Sequence, residues 1–333
     1  MSVLQKPTDF TSDQEIRWCP GCGDFAILAQ MKKLLPTLGI PPEDIVFVSG
    51  IGCSSRFPYY LETYGIHGIH GRAPALATGL ARMRPDLQTW VVTGDGDGLS
   101  IGCSHLIHAL RRNVNIKILL FNNQIYGLTK GQFSPTSPQG LVTGSTPKGT
   151  VHEPLNALSV ALAGKATFVA RSVDTNAKHL GEVLRRAALH RGSAFVEIYQ
   201  NCHIYNDGAF DYAKNAKIKA NHVVELNHGE PLIFGTEQDL AVGLNGPRLE
   251  TIKQRGGEWA DKPLIHDETN QDSSLAQMIA QMRHPEMPEA IGVFRAIKAP
   301  THNDLMPDQS PTTKERAKRL KKQLTSGQTW TVA

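Results

Sequence analysis

Apolar positions along this chain fall into two alternating spacings. Residues 25–35 carry Ile27, Leu28, Met31, Leu34 and Leu35 at the three-and-four spacing of one helical face. Pro36 and the pair Pro41-Pro42 end that segment. Beyond it, short apolar, β-rich runs at 45–49, 89–93, 116–121, 167–170 and 194–198 read as strands, separated by helical segments at 73–83, 98–112, 153–163 and 177–190. Continuous apolar strands alternating with helices predict an α/β fold with a doubly wound, mostly parallel sheet buried on both faces. Near residue 215 the rhythm stops. Residues 216–333 carry isolated charges and turns, with a strand-like 231–234 and an amphipathic 273–282. The chain therefore divides into an N-terminal arm (1–17), a main domain (18–215) and a smaller, irregular C-terminal extension (216–333). The basic run Lys314-Glu315-Arg316-Ala317-Lys318-Arg319-Leu320-Lys321-Lys322 reads as a solvated helix face.

Composition narrows the class. With 40% hydrophobic and 20% charged residues, the chain can bury a substantial core. Its 35 basic and 31 acidic residues leave only +4, too mild for a nucleic-acid surface. No stretch approaches the ~20 apolar residues of a membrane span. Residues 1–13 are polar, without the apolar core of a signal peptide. The expectation is a cytoplasmic protein that engages neither membrane nor nucleic acid. Five cysteines in such a chain point to metal or redox chemistry rather than to disulfides.

Two groups of residues carry candidate chemistry. Gly94-Asp95-Gly96-Asp97-Gly98 follows the run 89–93 and opens a helix. Glycines admit a phosphate close to the backbone, and a helix N-terminus offers free N–H groups. A carboxylate there can hold Mg²⁺, which bridges to diphosphate oxygens. The next strand ends in Asn122-Asn123, whose amides offer a second hard ligand. A lone Gly-Asp-Gly is an ordinary turn, but strand, Gly-Asp-Gly, helix, strand and Asn-Asn in this order form a specific signature. The second group is Cys19-Pro20-Gly21-Cys22, with Cys53 after the strand 45–49 and Cys202 after the strand 194–198. Cys53, Cys202, Asp95 and Asn123 thus lie at one edge of the predicted sheet, where open α/β sheets bind ligands. Four thiolates suit a [4Fe–4S] cluster or structural zinc. The adjoining diphosphate signature favours the cluster. Cys103, among apolar neighbours on a helix, reads as a buried structural thiol.

With these residues in view, the chain resembles the β subunits of 2-oxoacid:ferredoxin oxidoreductases. The matching phrases are Trp18-Cys19-Pro20-Gly21-Cys22-Gly23, Gly50-Ile51-Gly52-Cys53-Ser54, His70-Gly71-Arg72, Gly94-Asp95-Gly96-Asp97, 122–132 and Ser134-Pro135-Thr136, in family order over 18–205. The resemblance implies one [4Fe–4S] cluster on Cys19, Cys22, Cys53 and Cys202. It implies Mg²⁺ on Asp95, Asn123 and the carbonyl of Ile125. Thiamine diphosphate would be lined by Ile51, Gly52, Cys53, Ser54, His70, Gly96, Asp97, Gly127 and Leu128. The aminopyrimidine half of that cofactor would belong to a separate α subunit. The implied reaction is oxidative decarboxylation of a 2-oxoacid with coenzyme A, electrons leaving one at a time to ferredoxin, or the reverse carboxylation.

The choice of oxoacid turns on few residues. Arg56 lies just after Cys53-Ser54-Ser55, and a guanidinium binds a carboxylate bidentately. That favours 2-oxoglutarate over pyruvate or a broad range of 2-oxoacids. Arg56 equally suits an acidic residue of the α subunit or the diphosphate. His70 and Lys130 are further candidates for substrate or coenzyme contact, whereas His67 reads as structural. Two rivals of another kind are a non-oxidative thiamine enzyme with structural zinc, and a non-catalytic iron–sulfur carrier or scaffold subunit.

Overall fold

The computed structural model describes residues 5–306, 313–328 and 330. Four strands come first: β1 (Ile45–Ser49), β2 (Tyr64–His67), β3 (Gln88–Gly94) and β4 (Lys117–Asn122). A hairpin of β5 (Ile125–Tyr126) and β6 (Gln132–Phe133) follows. Next are β7 (Phe168–Val173), β8 (Ala194–Tyr199) and β9 (Val223–Leu226). A small antiparallel sheet is built from β10 (Ile233–Phe234), β11 (Leu240–Asn245), β12 (Arg248–Arg255) and β13 (Glu258–Trp259), and β14 (Glu289–Ala296) closes the series. The central sheet has eight strands in the order β2-β1-β3-β4-β8-β7-β14-β9. Every neighbouring pair is parallel except β14 on β7.

The helices as far as residue 280 are α1 (Asp24–Leu34), α2 (Ala73–Met83), α3 (Asp95–Leu99), α4 (Cys103–Arg111), α5 (Ala157–Ala163), α6 (Ala177–Leu189), α7 (Asp211–Lys214) and α8 (Ser274–Ala280). They cover both faces of the sheet. Ile45 and Phe47 of β1 and Leu119 and Phe121 of β4 face the core shared with α1 and α6. Their sequence neighbours Val46, Val48, Ile118 and Leu120 face the core shared with α2, α4, α5 and α8. The period-two side-chain alternation of a strand therefore buries every residue, which is why these strands read as unbroken apolar runs. The doubly wound parallel sheet is as the sequence predicts.

Three local features depart from the sequence reading. The segment 98–112 is two helices, not one. Gly71 and Gly102 approach so closely that a Cβ on Gly102 would stand 2.4 Å from the Asp97 carbonyl and 2.9 Å from the Gly71 Cα. That contact leaves Ser100–Gly102 outside both helices. Edge strand β2 is four residues long and exposed throughout, with only Tyr64 and Ile66 to alternate, so periodicity does not reveal it. Lastly, residues beyond 215 add more than small local elements, because β9 and β14 complete the central sheet. In β14 the apolar run is interrupted by Gly292 at φ 116°, by Arg295 and by Glu289, which disguises it. The stretches expected at 231–234 and 273–282 are present as β10 and α8. The N-terminal arm, largely polar, is anchored by the fully buried Phe10. The basic run is helical across Thr313–Leu324. Among the described residues no helix is long and apolar enough to cross a membrane.

Candidate cofactor site

Strand order reverses between β1 and β3: from β1 the chain moves outward to β2, then returns to β3 on the other side. Loops leaving β1 and β3 diverge at such a point and open a crevice at the carboxyl ends of the strands. A cavity of about 570 Å³ occupies it. Ile51, Gly52, Cys53 and Ser54 after β1, Gly94 to Asp97 after β3, and Asn123 with Ile125 to Leu128 after β4 line its walls, together with His70.

Asp95 is 2% exposed and belongs to the first turn of α3. Ser134 Oγ and Thr136 Oγ1 donate to its Oδ2 at 2.5 and 2.6 Å. Burial pushes its carboxyl up to about 6, and the two hydroxyls oppose that shift. Asn123 folds its Oδ1 onto the Ile125 N–H at 3.2 Å, which keeps its amide oxygen on the short loop that carries the Ile125 carbonyl. Asp95, Asn123 and Ile125 all line the cavity. A carboxylate, an amide oxygen and a carbonyl are the hard donors that Mg²⁺ takes beside phosphate, so the donor set fits that ion. Gly96 packs against the Tyr126 ring, which a Cβ there would overlap at 2.3 Å, whereas a Cβ on Gly52, at φ 128°, would meet open space in the cavity wall, room that a phosphate can use.

Asp97 has another task. Its Oδ1 accepts from Ile51 N at 3.0 Å, Gly71 N at 2.7 Å and His70 Nδ1 at 2.7 Å, while Thr93 Oγ1 donates to Oδ2 at 2.6 Å. A carboxylate only accepts, so His70 carries its proton on Nδ1. Asp97 thus staples the loop after β1 to the turn holding His70. Gly50 is required beside it, since a Cβ there would lie 2.0 Å from Asp97 Oδ2. Asn122, the other amide of the pair, is buried behind the site and donates to Glu197 Oε1 at 2.7 Å.

Four cysteines lie next to this cavity, although among the described residues no three His, Cys, Asp or Glu side chains are grouped closely enough to hold a metal ion as they stand. Cys19 and Cys22 share a tight turn closed by Cys22 N donating to Cys19 O at 3.0 Å. Gly23 N donates to Asn201 O at 3.2 Å, tying that turn to the loop of Cys202. Trp18 Nε1 donates to Cys53 O at 2.7 Å, tying the same turn to the loop after β1. A Cβ on Gly127 would lie 3.3 Å from Cys202 Sγ and 3.9 Å from Cys53 Sγ. Burial, the Asp24 carboxylate and the neighbouring thiols raise the Cys22 and Cys53 thiols, Cys53 to about 12. Burial likewise raises Cys202 and lifts Asp24 to about 7. A cationic group among these sulfurs would relieve that crowding. Cys103 stands apart on α4, half-buried, with burial raising its thiol.

Arg56 lines a second cavity of about 470 Å³ that shares Ile51, Gly52 and Leu128 with the first. Arg17 and His67 line it too. Lys130 lines neither cavity and is exposed, at φ 75°. The loop turns at Lys130-Gly131 to form the hairpin, between the cavity residues Thr129 and Gln132.

Sequence reasoning missed Asp24, Phe121, Gln132 and Phe133 as cavity residues. It also missed Ser134 and Thr136 as partners of Asp95, although the phrase that contains them stood out. Asp24 had a signal, lying directly after the Cys-x-x-Cys-Gly turn.

Comparison with known proteins identifies the family. Residues 50–198 match the family described as thiamine pyrophosphate enzyme, C-terminal TPP binding domain. The chain is 52% identical to 2-oxoglutarate oxidoreductase subunit KorB of Mycobacterium tuberculosis, over 98% of this chain and 89% of that one. It belongs to the β subunits of the 2-oxoacid:ferredoxin oxidoreductases. Similarity within the family extends to 2-oxoacid:ferredoxin oxidoreductase 1, subunit beta, of Aeropyrum pernix, at 46% identity over 57% of this chain and 60% of that one. The fold resembles 2-oxoglutarate:ferredoxin oxidoreductase from Magnetococcus marinus, solved with 2-oxoglutarate, coenzyme A and succinyl-CoA bound. The TM-score is 0.73 at 33% identity, covering 95% of this chain and 91% of that one. As a β subunit of this family, the chain works with an α subunit in a thiamine-dependent oxidoreductase.

Proposed function

We propose that this chain, with an α subunit, carries out coenzyme A-dependent oxidative decarboxylation of 2-oxoglutarate to succinyl-CoA, or the reverse, passing electrons through a [4Fe–4S] cluster to ferredoxin in the cytoplasm. The observation that carries the reading is the shared wall of the two sites: Cys53 and Gly127 line the cavity that takes the cofactor, and both adjoin Cys202 Sγ or the other sulfurs. Cys19, Cys22, Cys53 and Cys202 hold the cluster. Asp95, Asn123 and the Ile125 carbonyl hold Mg²⁺ and through it the diphosphate. All of these residues fall within 18–215.

When bound, thiamine diphosphate would supply carbanion chemistry toward the oxoacid, and the cluster would supply one-electron acceptance. The chain's own residues bind, orient and shield. Asp97 accepts from His70 Nδ1 and so fixes the imidazole on the wall of the cavity. Ile51, Leu128, Phe121 and Phe133 give the cavity apolar walls that limit water. Arg56 supplies a cationic group for the distal carboxylate of 2-oxoglutarate in the adjoining cavity, where Arg17 is already paired with Glu15 at 2.8 Å. Lys130 touches neither cavity and takes no part unless the α subunit brings a substrate to it. Ile51 and Leu128 on the rim, and Ile69 beside His70, are exposed apolar side chains suited to cover by the α subunit.

The test is electron paramagnetic resonance on the anaerobically purified complex, with 2-oxoglutarate or pyruvate, each with and without coenzyme A. A reduced-cluster signal with 2-oxoglutarate alone is expected. The same signal with pyruvate as well would shift the substrate, and iron-free protein silent to both acids would return the cysteines to zinc.

A further inference from the structure

Behind Asp95 lies a buried polar chain that crosses three strands. Arg171 on β7 and Glu197 on β8 are register partners. Glu197 also sits opposite Leu120 of β4, and Asn122 is two residues further along that strand, on the same face. Arg171 Nε donates to Glu197 Oε2 at 2.8 Å, and Asn122 Nδ2 donates to Glu197 Oε1 at 2.7 Å. Thr136 Oγ1 lies 3.0 Å from Asn122 Oδ1 and donates to Asp95 Oδ2 at 2.6 Å. All five residues are nearly inaccessible to solvent.

We infer that Thr136 and Glu197 are positioning residues for the metal, holding Asp95 as a one-oxygen ligand through this chain. The inference rests on the reading of Asp95 as a Mg²⁺ ligand. Three features argue for it over an ordinary core ion pair. Arg171 is already countered by Glu289, whose carboxylate also accepts from Tyr199 Oη at 3.0 Å and Tyr212 Oη at 3.1 Å. Charge balance alone therefore does not call for a second buried glutamate, and burying one is costly. Glu197 can only accept, so it forces Asn122 to turn its NH₂ toward it and its Oδ1 toward Thr136 and the Gln124 N–H, 3.1 Å away. Thr136 has a single hydroxyl proton, which points between Asp95 Oδ2 at 2.6 Å and Asn122 Oδ1 at 3.0 Å, so the amide oxygen that Glu197 orients fixes the hydroxyl as a three-centre donor against Asp95. Ser134 donates to that same Oδ2 at 2.5 Å. Among the described residues, Oδ1 is left as the oxygen with no side-chain donor, on the residue that lines the cavity.

The experiment uses the complete complex, stripped of metal by chelation, supplied with thiamine diphosphate and titrated with Mn²⁺ under paramagnetic resonance. Thr136→Val is expected to weaken Mn²⁺ binding about 10- to 100-fold, the range for partners behind a metal ligand. Thr136→Ser, which keeps the hydroxyl, should restore binding to within about threefold of wild type. Glu197→Gln should weaken it about tenfold, and Asp95→Asn at least as much as Thr136→Val. If Asp95→Asn weakens binding while Thr136→Val and Glu197→Gln leave it unchanged, the positioning chain is refuted and the ligand reading survives. If Asp95→Asn changes nothing, the ligand reading itself fails and this inference falls with it. Should Glu197→Gln not fold, the Thr136 pair decides alone.

Discussion

Replacing Asp97 by Asn probes how the site is assembled rather than what it binds. The change keeps volume but removes the charge. Three donors meet on Oδ1: Ile51 N, Gly71 N and His70 Nδ1, at 2.7–3.0 Å. Hydrogen bonds to an ionised acceptor contribute about 1.5–3 kcal/mol each and neutral ones about 0.5–1.5, so each of the three loses about 1 kcal/mol. On the other side, the new amide meets Thr93 Oγ1, which can turn its proton to the Gly94 carbonyl 3.3 Å away. That end costs little. The net loss is about 3 kcal/mol, concentrated where the loop after β1 meets the His70 turn. If closing that staple is fully coupled to cofactor binding, the thiamine diphosphate Kd rises about 100-fold. The assay is a thiamine diphosphate titration of the stripped complex by tryptophan fluorescence, with calorimetric unfolding in parallel. Asp97 touches no cysteine, but the loop it staples carries Cys53, so cluster absorbance is recorded alongside to separate loss of the thiamine site from loss of the cluster. A Kd within about fivefold of wild type, with an unchanged melting temperature, would refute the staple.

Two further outcomes follow from the geometry. His190, with burial first and the Lys117 cation second, is held down at about 4 against an ordinary 6.5. Its folded form stays neutral while the unfolded chain takes up a proton. The contribution is therefore whole above pH 6.5 and is lost as pH falls toward 4, amounting to about 3 kcal/mol. Urea unfolding of wild type and His190→Gln at pH 7 and pH 4.5 should show a flatter pH dependence in the variant, and parallel losses would contradict it. Arg56→Ala should raise the KM for 2-oxoglutarate at least about tenfold more than that for pyruvate, the scale of one charge-assisted pair. An equal rise for both acids would assign Arg56 to the diphosphate or to the α subunit instead.

Much of this protein was legible before folding was considered. Five strands buried on both faces reveal themselves as apolar runs, because a strand with no solvated face has no polar positions to alternate. The ligand phrases were legible for a related reason: in a parallel sheet each strand delivers its following loop to the same edge, so Cys53, Asp95, Asn123 and Cys202 had to meet there. Strands β2 and β14 were not legible, the first because its side chains are exposed and the second because Glu289 and Arg295 occupy buried positions that only their partners justify.

Side-chain direction at the site was decided by tertiary structure alone. Asp95 and Asp97 are alike in sequence, each flanked by glycines. One faces the cavity, and the other is drawn to the Ile51 and Gly71 amides because the Gly71–Gly102 approach brings that turn against it. Lys130 lines neither cavity, although its hairpin neighbours Thr129 and Gln132 line the first. Arg56 joins Arg17, thirty-nine positions earlier, only because the N-terminal arm packs beside the loop after β1. Periodicity along a chain encodes how each element is buried. Where a loop side chain points depends on which distant segment comes close enough to exclude the alternatives, and that contact is made only in the folded molecule.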